Sequence, residues 1–135
     1  MAKHLRTVVV GTLVLASAGI IIAQVPALTR TMVTKADVSV PGREAVIARV
    51  EIAPAGVAGW HTHPGDEISY VMDGTATLMV AGQAPRQVSA GEGFVIPAGV
   101  VHNAKNDGAS AIKLVGVYVV EKGKPLASPA SAPGS

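Results

Sequence analysis

Apolar and polar residues alternate along most of the chain after residue 23, which is the pattern of β-strands with one buried face. No helical periodicity of useful length occurs there, and turn residues separate the apolar segments at short intervals. The predicted strands cover residues 29–34, 45–53, 60–63, 67–72, 75–80, 86–88, 93–96 and 112–120. Asp73 and Gly74 predict a tight hairpin between two of them, and residues 81–83 predict a looser one. The pattern therefore predicts an all-β fold, a single-domain jelly roll or small barrel.

One predicted strand, residues 67–72, carries apolar side chains on both faces. If Glu67 points into the barrel, Ser69 and Val71 point the same way, because side chains two apart on a strand share a face. The opposite face then carries Ile68, Tyr70 and Met72. Such a face needs a cover, and the sequence leaves two candidates: a second copy in a homodimer, or the chain's own segment at residues 28–40.

Composition fits one domain whose core is built from Val, Ile, Leu and Ala. The chain has 135 residues, of which 49% are hydrophobic and only 3% aromatic, and it has no Cys. Its net charge of +2 first suggests nucleic acid as a partner. Lys3 and Arg6 supply that whole excess, however, because residues 28–135 hold nine basic and nine acidic side chains. We therefore expect no nucleic acid as a partner.

The N-terminus has the layout of a secretory signal. Lys3, His4 and Arg6 precede an uncharged, mostly apolar stretch at residues 7–23. This predicts a signal peptide at residues 1–23, cut after Ala23 or alternatively after Ala27, and a secreted or periplasmic product without stable membrane association. The alternative is an uncleaved anchor facing the periplasm, although 17 residues are short for a span of about 20.

The rest of the chain divides by composition into three parts. Residues 24–44 form an N-terminal segment with a strand, residues 45–121 form the barrel, and residues 122–135 are rich in Pro, Ala and Ser. The last part is expected to be a flexible tail, because its few large apolar groups cannot offset its ordering entropy. Pro125 and Leu126 could still dock on the barrel.

Four side chains have the character and spacing of metal ligands: His61, His63, Glu67 and His102. Imidazole nitrogen and carboxylate oxygen together suit first-row divalent metals. His61 and His63 are two apart and can share a strand face, whereas Glu67 follows a Pro-Gly turn that can return it toward them. Taken singly, each is most simply an ordinary surface side chain. Together they predict a site.

These residues stand in two motifs that closely resemble those of the cupin superfamily. The first reads HTHPGDE and leads after six more residues to Gly74; the second reads GEGFVIPAGVVHNAKN and contains Pro97, Gly99, His102 and Asn106. The resemblance covers roughly residues 45–118. It departs in one place: four residues rather than five separate Gly56 from His61, which leaves Ala55 in the usual glycine position.

The resemblance implies a small single-domain cupin with a jelly-roll barrel and one divalent transition metal ion, which could be Fe, Mn, Ni, Co, Cu or Zn. It implies a metal-dependent enzyme, oxygenase-like or alternatively an isomerase or decarboxylase, acting on a small oxygenated organic molecule. Glu67 would then be a ligand and, if it can take a proton, a catalytic base. Two alternatives stay open: a binding or sensing module without turnover, and a barrel that keeps these residues yet works without metal.

Overall fold

The computed structural model describes residues 26–134. The predicted signal or anchor at residues 1–23, with its cut after Ala23, lies outside that range. The strands are β1 (Leu28–Asp37), β2 (Arg43–Ile52), β3 (His61–Thr62), β4 (Gly65–Asp73), β5 (Thr75–Val80), β6 (Arg86–Ser89), β7 (Gly93–Ile96), β8 (His102–Lys105), β9 (Ile112–Glu121) and β10 (Ser128–Pro129). Across these residues, no helix has the length and apolar character that crossing a membrane requires.

Two five-stranded sheets face each other. The first has the order β1-β2-β9-β4-β7 and the second β10-β3-β8-β5-β6, and every strand pair is antiparallel. Burial alternates along β4 and β9, as expected of strands with one face on a core. The predicted all-β jelly roll is therefore confirmed.

The structure contains two strands that the apolar pattern did not predict, β8 and β10. In β8 the side chain of His102 faces the candidate ligand cluster and is buried although it is polar. The period-two apolar signal is absent because the interior here is a polar site. The eight predicted strands correspond to β1–β7 and β9, with ends that differ by up to three residues.

The turn at Asp73 and Gly74 does not form the predicted hairpin. β4 belongs to the first sheet and β5 to the second, so this turn carries the chain from one sheet to the other. Gly74 has a φ of 82°, a conformation that favours glycine. The looser hairpin is confirmed, because β5 pairs with β6 on either side of residues 81–83.

The buried side chains form two apolar clusters along the barrel. The larger contains Val50, Ile52, Val71, Ala76, Leu78, Val80, Val88, Phe94, Ile96, Ile112 and Leu114. The smaller contains Val46, Ala48, Tyr118 and Val120. β9 runs through both clusters, and Gly116 separates its two sets of core side chains. Glu67 and Ser69 lie opposite Tyr118 and Gly116 on the neighbouring strand, so a polar layer lies between the clusters.

The outer face of β4 is apolar and open in the described chain. Ile68, Tyr70 and Met72 are 46%, 53% and 46% exposed, which confirms the predicted facing. The alternative that residues 28–40 cover this face does not hold for the described chain. β1 instead pairs with β2 at the far edge of the same sheet, where its backbone groups find ladder partners.

Part of the predicted flexible tail is docked on the barrel. Leu126 packs against the smaller apolar cluster, as the sequence allowed. β10 pairs with β3, and the amide of Ala130 donates a hydrogen bond to the carbonyl of Trp60 at 2.9 Å. Residues 126–130 therefore contact the barrel, where apolar burial and backbone hydrogen bonds offset part of their ordering entropy.

Ala55 stands where the cupin motif usually has glycine, and its backbone keeps the glycine conformation. With a φ of 59°, it is the one non-glycine residue at positive φ among residues 26–134. A side chain in this region costs about 1–2 kcal/mol. The one-residue departure from the motif therefore produces local strain, while β3 still begins at His61.

Replacing Ala55 by glycine is expected to stabilise the fold. Relief of the positive-φ strain exceeds the extra entropy of glycine in the unfolded chain, so Ala55→Gly should raise the free energy of unfolding by about 0.5–1 kcal/mol. Urea unfolding measures this change. Ala53→Gly, at a position without positive φ, is the control, and its free energy of unfolding should fall by a similar amount. Equal destabilisation by both variants would contradict the assignment of strain.

Candidate metal centre

Both sheets contribute to the site. His61 on β3 and His102 on β8 are cross-strand partners in the second sheet, with ring centroids 4.2 Å apart. His63 follows β3 directly, and Glu67 projects from β4 in the first sheet. Each of the four residues offers a ligand atom, and these atoms all lie within 4.8 Å of one another. The structure therefore brings together every residue that the sequence proposed as a ligand.

The turn of the second motif links the two halves of the site. The chain leaves β7 at Ile96, and the amide of Val100 donates to the carbonyl of Pro97 at 3.2 Å. Within this turn the amide of Gly99 donates to the carbonyl of His63 at 3.0 Å. One motif thus directly holds the backbone of the other.

Asn106, the last residue of the second motif, is not one of the candidate ligands and has a structural role. Its side-chain amide donates to the carbonyls of Ile52 at 2.9 Å and Ser110 at 2.8 Å. Its Oδ1 accepts from the amide of Gly108 at 2.9 Å. Asn106 therefore stabilises the loop between β8 and β9.

Each imidazole is held by a backbone carbonyl oxygen at its Nδ1 atom. The pairs are His61 with Gly59 at 2.7 Å, His63 with Leu126 at 2.6 Å, and His102 with Val100 at 2.9 Å. A carbonyl oxygen can only accept, so each Nδ1 carries a proton. In the neutral ring the Nε2 atom then has a free lone pair, which is the form that binds a metal.

These lone pairs are directed at a carboxylate. Oε2 of Glu67 lies 2.9 Å from Nε2 of His63 and 3.1 Å from Nε2 of His102. The Nε2 atom of His63 is buried, and Oε2 of Glu67 is the polar atom that it faces. Lone pairs on buried nitrogen and carboxylate oxygen repel each other, and either a proton on an imidazole or a cation between the groups relieves this. Adjacent ligands of one ion are about 3 Å apart at bond lengths near 2.1 Å, so the donor set fits a metal.

The carboxyl of Glu67 is ionised despite its burial. Burial alone raises its pKa, but hydrogen bonds that His102 and His63 donate when a proton occupies Nε2 oppose this effect. The hydroxyl of Ser69 also donates to Oε1 of Glu67 at 2.6 Å. Together these contacts hold the pKa of Glu67 well below its ordinary range. The group is therefore a charged ligand at neutral pH.

His61 is neutral at the same pH. Burial lowers its pKa to about 4, the hydrogen bond to the carbonyl of Gly59 partly opposes this, and the neighbouring imidazoles lower it further. The neutral form keeps the Nε2 lone pair available. A negative carboxylate and a neutral imidazole are the states that divalent metal binding requires.

Tyr118 lines the site, although the sequence gave it no role. Its side chain is 1% exposed, and its ring centroid lies 4.8 Å from that of His63. Burial, with the charge of Glu67 in addition, raises the pKa of Tyr118 to about 12. A Cβ at Gly116 would lie 2.6 Å from the Tyr118 hydroxyl, so only glycine there leaves room for this ring. The alternation of residues along β9 was the sequence signal that could have placed Tyr118 on the inner face.

Arg30 is a second residue that the sequence did not assign. Its guanidinium carbon lies 5.5 Å from the centroid of the Tyr118 ring. Arg49 and Arg86, by contrast, are both exposed. Arg30 lies two residues after the apolar Leu28 on the same strand, and this spacing could have placed both side chains on the inner face.

Two neighbouring cavities lie beside the candidate ligands, and both are lined by Leu28, Arg30, Ala58 and His61. The inner part has a volume of about 30 Å³ and is lined by His61, Glu67, His102, Arg30 and Tyr118 among others. An outer part of about 210 Å³ is lined by His61 and Arg30 together with the tail residues Ala127 and Pro129. The docked tail therefore forms one wall of the mouth.

Fold and site together define an all-β jelly-roll protein with a candidate centre of three histidines and one glutamate. The sequence model of the cupin domain matches residues 48–120, and the chain belongs to the cupin family.

Two relatives and one solved structure illustrate the similarity. Nectarin-1 of Nicotiana plumbaginifolia is 36% identical over 99 residues, covering 64% of this chain and 42% of that protein. The acireductone dioxygenase of Rhodopseudomonas palustris strain TIE-1 is 42% identical over 59 residues, covering 42% of this chain and 36% of that protein. A recombinant oxalate oxidase in complex with glycolate is 28% identical, with a TM-score of 0.61 over 76% of this chain and 55% of that one. The matches span less than half the length of the two relatives.

The contact between His63 and the tail predicts that the tail supports metal binding. Deleting residues 125–135 removes the carbonyl of Leu126 that fixes the His63 tautomer, and loss of such a partner weakens metal binding about 10- to 100-fold. A competition titration with Zn²⁺ and a chromophoric chelator measures this. Leu126→Ala keeps the carbonyl while reducing the packing, so its affinity should be nearly unchanged. An unaltered affinity in the truncated chain would contradict the role of the tail.

Proposed function

We propose that this chain is a metal-dependent, oxygenase-like enzyme that acts on a small oxygenated organic molecule, with one divalent ion held by His61, His63, Glu67 and His102. The observation that carries the proposal is the convergence of three carbonyl-fixed imidazoles on one buried carboxylate. With the rings neutral, a barrel without a cation would leave buried lone pairs facing each other, which is costly.

When bound, such an ion supplies a Lewis acid and coordination positions that are open to a substrate oxygen and to O2. The chain's own residues bind and orient. His63, Glu67 and His102 are buried, whereas His61 is half-buried at the mouth. The apolar clusters on either side limit access of water to the centre. The ligand set accepts Fe, Mn, Ni, Co, Cu or Zn, because these metals share a preference for nitrogen and oxygen donors.

Glu67 is assigned as a ligand, and its further role as a catalytic base stays a prediction. The hydrogen bond from Ser69 and the two histidine contacts hold the pKa of Glu67 low, which weakens its affinity for a proton. This weighs against the base role. Tyr118 is the other acid–base group in the cavity, and its phenol stays protonated and can donate a hydrogen bond to a substrate oxygen.

Similarity to named enzymes supports the enzyme class. An acireductone dioxygenase and oxalate oxidases are among the proteins similar to this chain. The alternative is a cupin that binds a metal or small molecule without turnover. It is favoured by the small inner space of about 30 Å³, in which Tyr118 and Glu67 are the acid–base groups beside the histidines.

We also propose that the protein is exported. The support is the charged start followed by the apolar stretch at residues 7–23. With the preferred cut after Ala23, the mature chain would begin at Gln24, which N-terminal sequencing of exported protein would detect.

A homodimer through the outer face of the first sheet is proposed as the assembly. Ile68 is paired with Val117 on one side and with Val95 on the other, and Tyr70 is paired with Val115. The exposed side chains form one apolar surface across three adjacent strands. Patches of this kind on a soluble protein mark interaction sites, and a twofold pairing of like faces closes without leaving an open edge.

The homodimer predicts a specific effect of charge on that face. Wild-type protein should show twice the mass of the mature chain in size-exclusion chromatography with light scattering. Ile68→Arg should give a monomer, because an unpaired charge would be buried. Val40→Arg, at another exposed apolar position that is 54% exposed, should remain dimeric. A strictly monomeric wild type would rule out the dimer.

Loss of a direct ligand tests the metal-dependent function. His102→Ala should lower metal affinity at least about 10- to 100-fold, the loss that outer partners alone cause, and should abolish turnover. Lys105→Ala on the same strand is the matched control and should keep both. The measurements are elemental analysis, O2 consumption and product analysis with phenolic and keto-acid panels.

Each result has a separate meaning. Metal content unchanged in His102→Ala would remove that residue from the ligand set. Tight binding of panel members to metal-loaded wild type without product would reject the enzyme and favour the binding module.

A further inference from the structure

Arg30 is a cation that faces the barrel interior without an anionic partner. It is aligned with Val50 on the neighbouring strand, and Val50 is 4% exposed, so both side chains point inward. Its Nε atom is buried and has no hydrogen-bond partner. Within residues 26–134 no carboxylate lies within 4.0 Å of Arg30. A buried donor left in this state is costly unless something else pairs with it.

Arg30 lies on the route to the candidate metal centre. Arg30 and His61 line both the outer mouth of about 210 Å³ and the inner space of about 30 Å³. A molecule in the mouth would therefore contact both a guanidinium and a candidate metal-ligating imidazole. The guanidinium carbon is held 5.5 Å from the Tyr118 ring, a cation–π contact that fixes its direction.

The charge of this cavity is unbalanced when a divalent ion is bound. Glu67 is the one carboxylate among the residues lining the inner space, and none lines the mouth. The ion and Arg30 together carry more positive charge than Glu67 offsets. A negatively charged ligand would restore the balance.

We propose that Arg30 binds the carboxylate of the substrate, so that the site selects small carboxylic acids with a second oxygen that can reach the metal ion. This inference rests on the metal centre proposed above. Arginine suits the role because its planar fork donates two parallel hydrogen bonds to a carboxylate. The mouth is smaller than the roughly 300–1,000 Å³ of typical small-molecule pockets, so the acid must be small.

Arg30 is a specificity residue that lies outside the family match. The cupin domain matches residues 48–120, and β1 precedes that range. The anion site is therefore a feature of this chain's N-terminal strand and its docking beside β2. The glycolate carried by the similar oxalate oxidase structures is a carboxylate of the proposed size, with a hydroxyl as its second oxygen.

Binding to the Zn²⁺-loaded full protein tests the proposal without turnover. Calorimetry with glycolate should give a dissociation constant that Arg30→Gln weakens roughly 10- to 100-fold, the range for a hydrogen bond to a charged group. Arg30→Lys should keep part of the affinity, because the charge remains. Imidazole, a neutral metal ligand, should bind all three proteins alike, and their zinc content should be equal.

Arg49→Gln is the matched control. Arg49 is aligned with Thr31 on β1, next to the Arg30 position, but it is exposed on the outer face, so its loss removes the same charge without touching the cavity. This variant should bind glycolate as wild type does. Thermal unfolding of each variant separates loss of the anion site from loss of the fold.

The proposal is overturned if the Zn²⁺-loaded wild type does not bind glycolate, or if Arg30→Gln binds glycolate with unchanged affinity. It is also overturned if Arg30→Gln loses affinity for glycolate and for imidazole alike. Failure of the proposed enzyme gives a different result. In that case glycolate binding depends on Arg30 while no acid in the panel is converted. Turnover that is insensitive to Arg30→Gln would instead keep the enzyme and reject the anion site.

Discussion

Three hydrogen bonds from imidazole Nδ1 atoms to backbone carbonyl oxygens determine the chemistry of this site. They place the ring proton on the outer nitrogen and direct the Nε2 lone pairs of His61, His63 and His102 inward. The negative charge of Glu67 then completes a donor set whose lone pairs repel each other until a proton or a cation lies between them. The candidate metal site is thus built as much from backbone carbonyls as from the four side chains.

The fold supplies those carbonyls from separate parts of the chain. Gly59 and Val100 lie in the loops that enter β3 and β8, while Leu126 belongs to the docked tail. The two sheets bring Glu67 across the barrel, and apolar clusters on either side of the polar layer keep its dielectric low. A low dielectric strengthens both the repulsion in the apo state and the attraction for a cation.

Local periodicity predicted the strands whose inward residues are apolar, and the two motifs predicted the four residues that converge. The pattern failed where tertiary context decides. β8 has polar inward residues because His102 belongs to the site. Asp73 and Gly74 do form a turn. Whether the two strands on either side of it pair with each other depends on partners that are distant in sequence. Arg30 lies on an edge strand whose other residues are mostly exposed, so its sequence context did not mark it as an inward residue. The carbonyl of Leu126 is a backbone group, and no pattern of residue types encodes its position.

Anomalous diffraction from crystals loaded with Co²⁺ or Mn²⁺ is the most direct measurement of the central claim. One strong peak is predicted, bonded to Nε2 of all three histidines and to a carboxylate oxygen of Glu67, at distances of about 2.0–2.2 Å. The Nδ1 contacts to the backbone carbonyls should persist. A peak bonded through any Nδ1 atom, or located away from these four side chains, would contradict the account.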